Sequence, residues 1–373
     1  MGGTVLLFDK SLRKIEYLFR WSGMHLRNRE EYNEAVKGES LISLTYSAPT
    51  LTLGILSVLK SASFMWYYDC VDKLVYKLRQ LETKADFNST TNKALVEEPV
   101  NFLNFVIKVS NLFNWLLLVA FPLMPLATTA YNYFILNKTE LMLPFLVEYP
   151  FDPFNIKVYP FVVIDHIWGA MVALFWIFAS ESFYYICTTF IVVQFKLLQQ
   201  NILQIIPENS DSVVRNEDVV FHTKLVELVE WHQDLIEAVK LIETIYSKST
   251  LFNFVSSSAI ICLTGFNVTT IDDLAFVVMF LTFLCLSLTQ IFFLCFFGDI
   301  IMRSNKEVGD AVYNCNWYMT SAKNAKMLHY LQLRAQKPCK LTAYGFADVN
   351  VNAFSKIMNS AWSYFALLKT VDR

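Results

Sequence analysis

Six apolar blocks, each long enough to cross a lipid bilayer, leave this chain few folds: about 41–66, 105–134, 158–182, 250–268, 274–300 and 351–371. A hydrocarbon core of about 30 Å takes roughly 20 apolar residues of helix. Without water to satisfy it, backbone at that depth must close its hydrogen bonds within the segment, which a helix does. The fold class that follows is all-α, a polytopic membrane helical bundle, multi-pass in the cell membrane, with the lipid bilayer as a partner. Phenylalanine occurs 32 times, and 55% of the 373 residues are hydrophobic against 17% charged, a balance that soluble domains rarely show. A net charge of −2 gives a nucleic-acid partner no electrostatic basis.

Charge between the blocks sets the expected topology. The first 40 residues carry seven Lys or Arg, 67–104 and 183–249 carry five each, and 301–350 carries seven. By contrast, 137–157 holds only Lys138 and Lys157, and 269–273 holds Asp272 and Asp273 with no base. Short basic loops stay in the cytoplasm, which puts 67–104, 183–249 and 301–350 inside, and 137–157, 269–273 and the C-terminus outside. Six spans then force the basic N-terminus outside. Either a span has been lost ahead of the first block, or a basic N-terminus is tolerated there. MGGTVLLFDKSLRKIEYLF lacks the basic start, apolar core and cleavage site of a signal peptide. The sequons at Asn88 and Asn137 are expected on opposite sides, inside and outside, and that at Asn267 too near the membrane to be used.

Two charged stretches predict helical structure beyond the membrane. FHTKLVELVEWHQDLIEAVKLIETIYSKS has apolar positions at helical spacing from Leu225 through Ile245, an amphipathic helix running into the next span. EVGDAVYNCNWYMTSAKNAKMLHYLQLRAQ is similar and ends before Pro338. His222 and His232 are expected on the surface of the first of these helices.

Catalytic chemistry is not legible. The chain contains no glycine-rich phosphate loop, no zinc-type His and Cys cluster and no GxSxG turn, so neither an enzyme nor a cofactor is expected. The seven cysteines suggest no disulfide framework and are read as small core residues. Glu181 and Asp299, near the inner ends of their spans, are expected in salt bridges or helix-end roles. His166, beside Asp165 and Trp168, faces either a cavity or a hydrogen-bonding neighbour.

The last block carries a polar line. Side chains three and four apart on a helix overlie one another, so Asn352, Lys356, Asn359 and Ser363 align and continue into Leu367 and into Thr370 or Val371. Phe354, Ile357, Met358, Ala361, Phe365 and Leu368 take the other side. Polar groups at this depth face a bundle interior or a water-filled cavity, and the spacing leaves both open. Aromatic and sulfur-bearing residues crowd the outer halves of other spans. They are Tyr46 and Leu51 in the first, Phe121, Met124, Thr128 and Tyr131 in the second, Val163, His166, Met171 and Phe175 in the third, and Phe276, Met279, Phe280 and Phe283 in the fifth. If they enclose a void, it suits a small volatile apolar ligand held by shape and dispersion.

TQIFFLCFFGDIIMRSNKEVGDAVYNCNWY resembles the sixth-helix signature of insect odorant receptors, matching at Gln290, Cys295, Gly298, Ser304, Ala311, Tyr313 and Trp317. KPCKLTAYGFADVNVNAFSKIMNSAWSYFALLKT resembles the last helix of that family, at Pro338, Leu341, Thr342, Ala343, Phe346, Phe354 and the SYFALL run, in a style like that of moth and butterfly receptors. LPFLVEYPFDP resembles its outer-loop motif, with Glu148 where Trp is usual. The resemblance implies seven spans with a cytoplasmic N-terminus, the first span being missing or unrecognisable here between Arg20 and Glu39. It implies binding of a volatile odorant or pheromone and a non-selective cation channel, a heterotetramer with the olfactory co-receptor in the sensory-neuron dendrite. The expected divisions are 1–40, an N-terminal segment, and 41–300, a ligand-binding bundle with cytoplasmic extensions at 183–249. They are followed by 301–350, an anchor helix and linker, and 351–373, a pore helix. By register, the pore residues are Asn359, Ser363, Leu367, Thr370 and Val371, with Leu367 and Val371 at an outer gate. A gustatory receptor of the same superfamily is the alternative, although SYFALLKT lacks the terminal QF of that family; another is a truncated, non-functional chain.

Overall fold

The computed structural model describes residues 39–84, 90–134, 141, 143–145, 149–206, 219–270 and 274–371. Within them lie eight α-helices: α1 Glu39–Trp66, α2 Tyr68–Lys84, α3 Thr90–Phe134, α4 Tyr159–Gln204, α5 Val219–Thr270, α6 Leu274–Asn314, α7 Ala322–Gln336 and α8 Val351–Val371. The expected gap between Arg20 and Glu39, and the sequons at Asn88 and Asn137, fall outside the described residues. Asn267 is buried within α5.

The apolar blocks mark only part of each helix. At 52 residues, α5 is about 78 Å long at a rise of 1.5 Å per residue, more than twice the hydrocarbon core. The expected amphipathic helix and the span at 250–268 are therefore one rod. Likewise α4 runs on past residue 182 to Gln204. Five of the described helices are long and apolar enough to cross a membrane, α1, α3, α4, α5 and α6. The sixth block is α8, whose 21 residues span about 31 Å but carry the polar line.

Packing separates a centre from a rim. In their most apolar stretches, α5 and α6 are 56% and 50% buried, against 28% for α1, α3 and α4. Contacts run from α6 to α4, α5 and α3, and from α1 to α5 and α4. The main core lies towards the charged end, where Tyr185, Phe195 and Leu198 of α4 meet Leu235 and Ile242 of α5 and Ile291, Phe297 and Ile301 of α6. The charged extension of α5 thus joins a helical bundle rather than lying on lipid.

His232 corrects the sequence reading. It is 1% exposed, with Nε2 3.1 Å from Asn305 Oδ1 on α6. His222 is half-buried, its Nδ1 3.1 Å from Asn324 Oδ1 on α7. Both face neighbouring helices, because this extension is packed on more than one side. The stretch 307–336 is also not one helix. It breaks after Asn314, passes through a 3-10 turn at Trp317–Met319, and restarts where the Ser321 side chain accepts from Asn324 N at 3.3 Å, an N-cap. Then α7 packs back along α6 and stops at Gln336, where Lys337 is extended at ψ 126° as the residue before a proline must be.

A short hairpin, Thr342–Ala343 paired with Ala347–Asp348, connects α7 to α8. Its turn needs Tyr344 and Gly345 at φ 52° and 78°, and Thr342 Oγ1 donates to Glu243 Oε1 of α5 at 2.6 Å. Val349 then crosses α6 at Gly298, where an added Cβ would fall within the contact distance of Val349 O and 2.9 Å from its Cγ1. Only glycine admits so close a crossing.

Candidate functional site

Two features carry the chemistry of this bundle, the packing of its outer half and the two-sidedness of α8. Met279 is 0% exposed, Phe280 3% and Phe283 2%. They pack with Leu117 of α3, Leu174 of α4 and Ile260 of α5, backed by Leu53, Phe113, Leu118, Phe145 and Val268. The structure therefore brings together Met279, Phe280 and Phe283 from the sequence-predicted set; Leu51 is half-buried on α1 but does not belong to this cluster.

At the outer end of α4, Val163 and His166 are buried. The Tyr149 hydroxyl of the preceding loop lies 2.8 Å from His166 Nε2, and the Phe145 ring meets the imidazole edge-on at 5.2 Å between centroids. His166 is thus hydrogen-bonded to a loop that folds over this end. Tyr46, Phe121, Met124, Thr128, Tyr131, Phe276 and Val371 sit on α1, α3, α6 and α8, and their side chains lie outside the described residues.

Met171 and Phe175 do not join the interior cluster. They line a groove between α3 and α4 with Asn111, Asn114, Trp115, Leu118, Leu174 and Phe178, holding a void of about 20 Å³. Leu174 and Leu118 belong to both groove and cluster, so a thin apolar wall separates them. Asn114 escaped the sequence reading, which sought aromatic and sulfur-bearing residues. Its signal was the pair Asn111 and Asn114, three apart in the apolar run VSNLFNWLLLV, where polar groups call for a reason.

The acids behave in two ways. Asp299 pairs with Arg303 on its own helix at 2.9 Å. Glu181 is 6% exposed; its Oε1 accepts from Lys60 Nζ of α1 at 2.6 Å and from Gln290 Nε2 of α6. The salt bridge expected for each acid is there, but water is not close to Glu181. A void of about 10 Å³ beside it, walled by Tyr184, Tyr246, Ser249 and Asn253, is at the lower limit for one water.

On α8 the two sides part cleanly. Ala353, Ile357 and Ala361 are buried and Phe354, Met358, Phe365 and Leu368 half-buried, while Asn352, Lys356, Asn359, Ser363, Leu367 and Thr370 are exposed. The packed side lies on α5 and α6. Ser363 Oγ donates to Asn359 O at 2.9 Å and Thr370 Oγ1 to Leu367 O at 2.6 Å.

The 7tm odorant receptor family model matches this chain over residues 41–362. The chain belongs to the 7tm odorant receptor family. Odorant receptor 67c of Drosophila melanogaster is 25% identical over 345 residues, 91% of this chain and 82% of the relative. The odorant receptor coreceptor of Anopheles gambiae is 23% identical over 161 residues, 43% of this chain and 34% of the relative. The solved olfactory receptor OR5 of Machilis hrabei, in complex with eugenol, shares the fold at a TM-score of 0.78 and 17% identity, covering 97% of this chain and 98% of that one.

This odorant receptor is thus a multi-pass membrane receptor of smell, not an enzyme. Its sixth-helix signature has physical content. Gln290 bonds Glu181, Cys295 is wholly buried, Gly298 admits Val349, and Ser304 is a small side chain buried in the packing of α6.

Proposed function

We propose that this odorant receptor binds a volatile odorant in the outer half of its bundle and, as a heterotetramer with the olfactory co-receptor, gates a non-selective cation channel. The observation that carries the pore reading is α8. One side is packed on α5 and α6, and the other is a membrane-length line of exposed polar residues that its own subunit leaves uncovered. Polar side chains facing hydrocarbon are costly, so that line calls for water or partner subunits. In this reading Asn359 and Ser363 contact permeating ions, and Leu367, 61% exposed, forms with Thr370 and Val371 an outer constriction that gates by dewetting. The charged ends of α4, α5 and α6, with α7, lie in the cytoplasm and carry the subunit contacts.

Odorant binding is carried by the filled cluster and the groove beside it. Met279, Phe280 and Phe283 are packed against their neighbours in that cluster, so a ligand enters among them by shifting side chains towards a minor arrangement that it then stabilises. Met171 and Phe175, half-buried and half-exposed, are the adaptable walls.

The test is odour-evoked current in cells carrying this chain with the co-receptor, against co-receptor alone. Current to part of a broad volatile panel is expected; silence throughout, with normal surface delivery, overturns the reading.

A further inference from the structure

Asn114 sits on the groove between α3 and α4 with its amide held in one orientation. Its Nδ2 donates to Ser110 O at 2.8 Å. A backbone carbonyl only accepts, so the nitrogen must face Ser110 and the oxygen the other way. Asn114 is 8% exposed, and its Oδ1 has no hydrogen-bond partner among the described residues. An acceptor this deep has given up water and received nothing in return.

The void that Asn114 lines is about 20 Å³, and apart from Asn111 and the indole N–H of Trp115 its other walls are apolar. The space is the size of a hydroxyl and the carbon that bears it. Towards the groove's mouth stand Trp115, 51% exposed, and Phe175, 52% exposed, which with Met171 can move to let an apolar body lie along the groove.

We propose that this groove seats the hydroxyl of an apolar alcohol, which donates a hydrogen bond to Asn114 Oδ1 while its carbon body lies against Met171, Trp115 and Phe175. The inference rests on the odorant-receptor reading above and names the ligand class for it. Esters, ketones and ethers offer only acceptors. Their oxygen would face the oxygen of Asn114, with no bond formed and some repulsion. An alcohol completes a polar group already buried, and that is where a hydrogen bond discriminates best.

The experiment records dose–response curves from cells carrying the chain with the co-receptor. The probes are straight-chain and aryl alcohols of graded length, each beside its own methyl ether, with esters and ketones as a further set. Alcohols are expected to be about tenfold more potent than their ethers. Asn114→Leu, at matched surface delivery, is expected to erase that difference by lowering alcohol potency to that of the matching ethers. Equal potency of alcohols and ethers in the unaltered receptor overturns the inference, and that comparison does not depend on any variant folding. Silence to alcohols with current to esters or ketones also overturns it but leaves the receptor reading standing. Silence to all probes, with normal surface delivery, overturns both.

Discussion

Lys60 Nζ and Glu181 Oε1 stand 2.6 Å apart, with both side chains more than nine-tenths buried, so one ion pair pins α1 to α4 inside the bundle. The amide of Gln290 adds α6 to the same oxygen. Taking two charges out of water is costly, and a pair retained at such a site is evidence for specificity of packing rather than for large net stability. What it does impose is a large penalty on losing one partner alone.

Lys60→Met is therefore expected to destabilise the receptor by about 3–5 kcal/mol, because the carboxylate is left buried without its cation. Surface delivery and the melting temperature in detergent should both fall. Adding Glu181→Gln to Lys60→Met should recover most of the loss; a double variant as unstable as the single one would show that the charges are not paired to any effect.

His232 gives the charged end a pH dependence. Asn305 Nδ2 donates to Ala335 O at 2.8 Å and Lys337 O at 3.2 Å, so its Oδ1 must accept and His232 Nε2 must carry the proton. Burial pushes the imidazole below its usual range, opposed by the Asn305 hydrogen bond, while the nearby Arg334 charge also lowers it. A neutral buried imidazole binds fewer protons than the same group unfolded. Its contribution is present above the unfolded pKa of about 6.5 and is lost as pH falls below it. Between about pH 7.5 and about pH 5.5, the unaltered protein should lose more thermal stability in detergent than His232→Gln, which keeps a donor but cannot titrate. Equal losses would remove His232 from the pH response.

Gly298 sets how closely the hairpin approaches α6. Gly298→Ala places a Cβ against Val349 O and Cγ1, which requires the segment leading into α8 to shift at a cost of about 1–3 kcal/mol. Since α8 begins at Val351, the expected readout is loss of odour-evoked current beyond any loss of surface delivery. Normal current in Gly298→Ala would mean that the base of α8 can move without affecting conduction.

Much of this fold was legible because lipid imposes simple rules. Apolar blocks marked the long helices, and three-and-four spacing alone separates Ile357 and Ala361 from Asn359 and Ser363. The helical extensions were harder, since a charged stretch continuing an apolar one shows no break to mark whether the rod goes on. His232 was misread because WHQD looks solvated in sequence, and only the packing of α6 against it reveals a second buried side. Met171 and Phe175 were grouped with the interior because α4 is apolar nearly all round, which leaves no periodic signal for which face meets the core. Asn114 was missed because aromatic and sulfur-bearing residues were taken as the pocket signal; the Asn111 and Asn114 pair in one apolar run is visible in the sequence, but the unpartnered Oδ1 is not.

A receptor that conducts through this chain must line its pathway with the polar side of α8. Ser363 is exposed on its polar line and can be changed to cysteine in a receptor expressed with the co-receptor. Applying a charged, membrane-impermeant thiol reagent during odour-evoked current should reduce that current severalfold in Ser363→Cys and leave the unaltered receptor unchanged. If Ser363→Cys conducts normally, and labelling confirms that the thiol has reacted without altering the current, α8 does not line the pathway for ions and the account is contradicted.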